Sequence, residues 1–265
     1  GPYSGRPGFD PLLQAKSGAM AHQGGPGQAP VFLNAAMSDY GAAMLSAYGI
    51  AMALFVRAKT GKGQELETSL LNAVMAAQPN RFIVSSTELE EYPRMGSLGP
   101  TATYRLYRAS DEWFFIGVKN EEEWSALVRS INKEDIGKDP RFNTQEKRLR
   151  SSECLASIFS SIFVSRKASH WMDLLNREGV PCTSVNLSAS LFDHPQILKN
   201  DLVAEHYYSD IGFLKYIGVP IKYSKTPGVI RRPAPELGGD TEEVLSGVGY
   251  SSDEIEQFRK DRIIK

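Results

Sequence analysis

Between Asp39 and Arg57 the chain runs through Tyr40–Val56 without a single charge. At 17 residues this stretch sits at the short limit for a membrane-crossing helix, which needs about 20 mostly apolar residues. Ser46, Tyr48, Gly49 and many alanines dilute its apolarity, so the sequence predicts a buried core helix and no membrane partner. Ser38 or Asp39 is a good N-cap, the body extends to Thr60, and Gly61 supplies the left-handed stop. Ala43, Ala47 and Ala51 recur every fourth residue and would let the helix lie close to neighbouring backbone.

Composition narrows what such a helix can belong to. Thirty basic residues against 31 acidic ones argue against a nucleic-acid partner, which selects a basic excess. Aromatic residues at 10% and a net charge of −1 argue against disorder. A chain of 265 residues can bury roughly 70–75% of its unfolded surface, enough for one large core or two smaller ones. Cys154 and Cys182 are too few for a disulfide framework or a four-ligand zinc site, and a reducing, cytoplasmic location is expected. Residues 1–30 lack the basic start and apolar core of a secretory signal.

Apolar spacing predicts a helix over Phe9–Met20, a short strand over Gln64–Leu70, and a helix from Ser69 to Gln78 interrupted at Pro79. After residue 90, Pro93–Pro100 reads as a loop and a domain boundary. Thr103–Arg108 and Trp113–Val118 read as a hairpin. Helices are expected over Glu121–Ile131, Ser152–Phe163 and His170–Arg177, making the middle block a small α+β unit. Strand-like pieces follow at Leu202–Tyr208 and Tyr216–Tyr223, then short helices at Thr241–Leu245 and Ser252–Arg259. The expected architecture is α/β: a large domain from residues 1–95 and 200–265, with a smaller α+β domain inserted at 96–199.

Most catalytic signatures are missing, including the nucleophile elbow, the zinc-protease helix and the dinucleotide fingerprint. Gly61-Lys62-Gly63 lacks the first glycine and the Ser or Thr of a phosphate loop, and reads as a helix stop and turn. His22, His170, His194 and His206 share no ligand spacing, so no metal is expected. Asp39, at the start of the uncharged helix, has two readings. One is a cap or first-turn acid favoured by the helix dipole. The other is a carboxylate nucleophile whose neighbouring backbone N–H groups could stabilise an oxyanion.

Several runs resemble the family III CoA-transferases, the group of formyl-CoA transferase and carnitine CoA-transferase. They are Gly1–Asp10, Gln14–Gly18, Asp39-Tyr40-Gly41-Ala42, Arg57–Gln64, Asp139–Thr144 with Arg148, Gly179-Val180-Pro181-Cys182 and Ala234–Gly238, in the family's order. The resemblance implies that Asp39 is the nucleophile. It would accept an acyl group from an acyl-CoA, exchange it for CoA, and pass the CoA to an acceptor carboxylic acid. No metal or redox cofactor is implied; acyl-CoA is a substrate. Gly96, Ser97, Leu98 and Gly99 fall near the family's glycine-rich substrate loop. An interlocked homodimer is implied as well. The related 2-methylacyl-CoA racemases place a proton-exchanging histidine where this chain has Phe9, which cannot serve as a base. Relatives carry a segment upstream of Gly1 that builds the first strands of a Rossmann-like large domain and many CoA contacts. The chain is therefore expected to correspond to a C-terminal portion with an incomplete large domain, and α-helical surface within Tyr40–Val56 is expected to need that segment as cover.

Overall fold

The computed structural model describes residue 2 and residues 5–24, 28–79, 98–208 and 211–264. The chain divides into two compact units, Gly1–Val185 and Asn186–Lys265.

The first unit begins with four helices. Where one helix was expected over Phe9–Met20, α1 (Asp10–Lys16) and α2 (Ala19–Gln23) are separate, because Gly18 turns left-handed at φ 79°. Then come α3 (Met37–Thr60) and α4 (Leu70–Ala76), the latter capped by Ser69, whose Oγ accepts from Asn72 N at 3.1 Å. Helices α1, α3 and α4 pack on one another. Gly61 ends α3 at φ 73° with its N–H bonded to the Arg57 carbonyl, so the Gly-Lys-Gly run is the helix stop expected of it. No strand forms over Gln64–Leu70. Leu66 rests against Gly49 of α3, and no described strand runs alongside to complete a ladder.

Helix α3 is not buried, contrary to the expectation. Ser38 is its one buried residue, while Tyr40, Met44 and Tyr48 are 68%, 70% and 68% exposed. The reason is geometric. A 24-residue helix is about 36 Å long, and the seven-residue helices α1 and α4 cover only part of one edge. By length and composition alone it could cross a membrane, with a mean hydropathy of 1.5 over an 18-residue stretch. A core helix awaiting its cover meets the same criterion.

The rest of this unit is a small α+β body with its own core. The hairpin forms as expected, β1 (Tyr104–Arg108) pairing antiparallel with β2 (Trp113–Gly117) in the register Leu106 to Phe115. Five helices follow: α5 (Glu121–Ser130), α6 (Glu134–Lys138), α7 (Gln145–Arg150), α8 (Ser152–Phe163) and α9 (Ala168–Arg177). Strand β3 (Cys182–Ser184) then adds to the free edge of β2. Tyr107, Phe114 and Ile116 from the sheet meet Trp124, Leu127, Phe159, Phe163, Trp171 and Leu175 from the helices. Phe163 lies within 5.4 Å, ring to ring, of Tyr107, Phe114 and Trp171. Two polar tips in this core are satisfied: Tyr107 Oη donates to the Ala102 carbonyl at 2.6 Å and Trp171 Nε1 to that of Phe163 at 2.8 Å.

Two of the runs quoted above are structural here. Asp139 pairs with Arg141 at 2.8 Å, Phe142 enters the core, and buried Arg148 donates to the Phe142 carbonyl at 2.9 Å while pairing with Glu121. Gly179 stops α9 at φ 77°, Val180 is buried, and Cys182 opens β3. Both cysteines are free thiols, and burial pushes that of Cys182 up to about 11.

The second unit holds α10 (Ser188–Leu191), α11 (Pro195–Lys199), the antiparallel hairpin β4 (Val203–Tyr208) and β5 (Gly212–Ile217), α12 (Thr241–Gly247) and α13 (Ser252–Lys260). The second strand lies earlier than the expected Tyr216–Tyr223, because a left-handed Gly212 starts its return against β4. Ser251 and Glu254 form a reciprocal capping box at the start of α13.

Candidate active site

The turn that carries Asp39 is built by two distant pieces of sequence. Ala36, the N-cap residue of α3, offers no side-chain hydrogen bond, and neither Ser38 nor Asp39 is the cap that local sequence suggested. Both lie inside the first turn. The cap comes instead from Asp10, at the start of α1. Its Oδ2 accepts from Ser38 N at 2.7 Å and from Asp39 N at 3.3 Å. Met37 N donates to the Ala35 carbonyl at 2.8 Å and Tyr40 N to that of Ala36 at 3.0 Å. The Tyr40 bond is the first regular bond of the helix, so of the N–H groups that a helix start leaves open, those of Met37, Ser38 and Asp39 are taken. The expected oxyanion site at these amides is already filled, by the protein's own carboxylate.

Asp39 itself is exposed, and its carboxylate has no hydrogen-bond or ion-pair partner among the described residues. A carboxylate open to solvent, with no ion-pair partner among the described residues, is able to attack an electrophilic carbonyl. It is neither sealed away nor locked in a bridge.

Asp10 and Gln14 had been quoted for resemblance and given no role. Spaced by four residues, they share one face of α1, and both are buried, at 6% and 0% exposure. Gln14 Nε2 donates to Asp10 Oδ1 and, at 2.8 Å, to the Ala35 carbonyl. An acid and an amide on the inward face of a short helix was the signal available in the sequence. Phe9, by contrast, is the N-cap residue of α1 and 55% exposed.

Of the substrate-loop residues, Gly96 and Ser97 lie outside the described residues. Leu98 and Gly99 are bound to β1. The Leu98 carbonyl accepts from Leu106 N at 2.7 Å. Gly99 sits at φ 137°, and a Cβ there would stand 2.5 Å from the Tyr104 carbonyl oxygen and 2.6 Å from Arg105 Cα. Only glycine fits this approach. Among the described residues no hydrogen bond or ion pair joins Leu98 or Gly99 to Asp39. An open cleft of about 870 Å³ lies between α1 and the start of α4, lined by Arg6, Leu12, Lys16, Thr68 and Leu71 among others, and Asp39 is not one of its walls. No cluster of three metal-ligating side chains occurs among the described residues.

The model of CoA-transferase family III matches residues 1–241. The chain belongs to that family. The acyl-CoA transferase of Fusarium pseudograminearum is 28% identical over 267 residues, covering 100% of this chain and 59% of its own length. The mouse succinyl-CoA:glutarate CoA-transferase is 28% identical over 271 residues, covering 100% of this chain and 61% of its own. The chain thus spans about three-fifths of the length of these curated relatives. A solved CAIB/BAIF family protein from Brucella suis has a TM-score of 0.79 at 24% identity, over 94% of this chain and 65% of that one. The mixed helices and strands share that protein's fold, in keeping with the α/β class.

Proposed function

We propose that the protein transfers CoA from an acyl-CoA to an acceptor carboxylic acid, with Asp39 as the covalent carrier. The observation that carries this reading is the exposed, unpartnered Asp39 carboxylate on the first turn of α3, in a chain of this family.

The steps balance without an outside reagent. A carboxylate oxygen of Asp39 adds to the thioester carbonyl, and CoA leaves as a thiolate, giving an acyl–aspartyl anhydride. The thiolate attacks the Asp39 carbonyl carbon and expels the donor acid, giving an aspartyl-CoA thioester. The acceptor carboxylate attacks that carbon, again releasing the thiolate and forming a second anhydride. The thiolate then takes the acceptor's acyl carbon and returns Asp39 as a carboxylate. Each exchange keeps the activation of the thioester within the site. Because the α3 amides are occupied by Asp10, the oxyanion donors must come from elsewhere in the full-length protein. Phe9 has no exchangeable ring proton, which favours transfer over two-base racemisation.

The related activities suggest acids: the mouse relative is named for succinyl-CoA and glutarate, and one from Acetobacter aceti for acetyl-CoA and oxalate. The reading includes a cytoplasmic homodimer that needs no metal or redox cofactor. Its large domain draws on residues 1–95 and 200–265, its small domain on 96–199, and Gly96–Gly99 contribute to the substrate loop.

The test is direct. Full-length protein is incubated with succinyl-CoA or acetyl-CoA and with glutarate or oxalate, trapped with hydroxylamine or borohydride, and mapped by peptide mass spectrometry. The Asp39 peptide is expected to carry the hydroxamate or the reduced side chain. Asp39→Asn is expected to lower transfer about 10³-fold or more, while costing about 1 kcal/mol or less through the lost first-turn charge. An unmodified Asp39 peptide under turnover rejects the mechanism.

A further inference from the structure

Asp10 is held from more sides than a helix cap requires. Its Oδ2 takes two amides of the α3 first turn, at 2.7 and 3.3 Å, and its own carbonyl accepts from Ser38 Oγ at 3.5 Å. On the other side Gln14 Nε2 clamps Oδ1 and reaches on to the Ala35 carbonyl, one residue before the α3 N-cap. Ser17 Oγ in turn donates to the Gln14 carbonyl at 3.1 Å. The first turn of α1 and the first turn of α3 are joined by these bonds across 28 or 29 residues of sequence, and Ala36 contributes no side-chain bond of its own.

We infer that Asp10 is a positioning residue for Asp39, with Gln14 as its brace. The inference rests on the reading of Asp39 as nucleophile. A carboxylate must approach the thioester carbon on a defined line, and its aim is set by the backbone from which it projects. Asp39 N–H, the atom next to that projection, is one of the two that Asp10 holds. Among the described residues the side chain of Asp39 has no partner to steer it, so the turn itself is the aiming device. Misplacement by about 1 Å is enough to cost up to roughly 100-fold in rate.

The experiment uses the full-length protein and whichever of the four donor–acceptor pairs above the wild type turns over. Asp10→Ala is expected to lower kcat about 10- to 100-fold with the donor KM within about twofold. The single-turnover yield of trapped Asp39 should fall in proportion. Asp10→Asn keeps an oxygen that can accept from both amides, since Asn caps as well as Asp, but turns its NH2 toward Gln14 Nε2 and loses that bond, so it is expected to recover part of the lost kcat. A fall in Tm with kcat per folded molecule unchanged would make Asp10 a structural cap alone and overturn the inference, as would equal loss in the Ala and Asn variants. Should Asp10→Ala fail to fold, Gln14→Met decides: it removes the brace at similar volume, and an unchanged kcat overturns the proposal. Asp39→Asn is measured alongside. If it stays active, the nucleophile reading fails; if it is dead while Asp10→Ala is unimpaired, only the positioning role fails.

Discussion

Helices α8 and α3 invite comparison because both are rich in apolar residues and only one is enclosed. Along α8, Leu155, Ala156, Phe159 and Phe163 form one stripe, and each is buried against the sheet and the neighbouring helices. Twice as long, α3 is apolar nearly all the way round, and the one residue it buries is a serine. A single stripe is satisfied by a single surface, whereas a helix without a polar face has to be enclosed. The small body therefore draws its stability from its own aromatic core. Helix α3, by contrast, is fixed at its first turn by Asp10 and along one edge by α1 and α4. The chemistry proposed for Asp39 and the stability of the fold are thus assigned to different parts of the same unit, and substitutions should separate them.

The largest effect should come from the enclosed helix. Phe159 is 0% exposed and meets Tyr107, Trp124 and Phe163, with ring centroids 5.8 to 6.1 Å apart. Phe159→Ala is expected to cost about 3–5 kcal/mol, read as a drop in urea midpoint at constant slope. A cost under about 1 kcal/mol would mean that the aromatic core is not what holds this body together.

Next comes Gly99, which belongs to the body by geometry and to the substrate loop by resemblance. Gly99→Ala forces a Cβ into the backbone of Tyr104 and Arg105 at a φ of 137°. Strain of this kind costs about 1–3 kcal/mol, and displacing β1 adds to it. If Gly99 is purely structural, stability falls and the kcat of the folded fraction is retained. If kcat falls further than the folded fraction does, the loop also serves the substrate, and the division between the two regions is less sharp than α3 and α8 suggest.

What the sequence disclosed tracks the same contrast. Ser152–Phe163, the hairpin and Ser252–Arg259 were legible because each carries its own signal: a one-faced stripe, two alternating runs, a short amphipathic pattern. The Asp10 cap was not. Nothing within four residues of Met37 indicates that its amides are met from α1, and Ser38 and Asp39 are better caps by local rules than Ala36. The alternation of Leu66, Thr68 and Leu70 misled for a related reason, since a strand needs a neighbour that periodicity does not supply. Burial of α3 was inferred from apolarity, but apolarity states what a helix needs and not what lies beside it. Asp39 was singled out by its place ahead of an uncharged helix; the role proposed for it came from the matching runs, and its openness from the structure.

The smallest expected effect is the one that tests the comparison most closely. Met44 lies on α3 and is 70% exposed, so Met44→Ala should change the stability of the 265-residue chain by no more than about 0.5 kcal/mol. The same truncation at an enclosed methionine costs about 2–5 kcal/mol. In the full-length homodimer proposed above, where α3 is expected to be covered, Met44→Ala should move toward that higher figure. Its Tm should also depend on protein concentration if the cover is a second subunit. Equal small costs in both forms would leave α3 bare in the working enzyme, and the dimer would have to be sought on another surface. Equal large costs would mean that the 265 residues already enclose α3 in solution, so that α3 and α8 are stabilised alike.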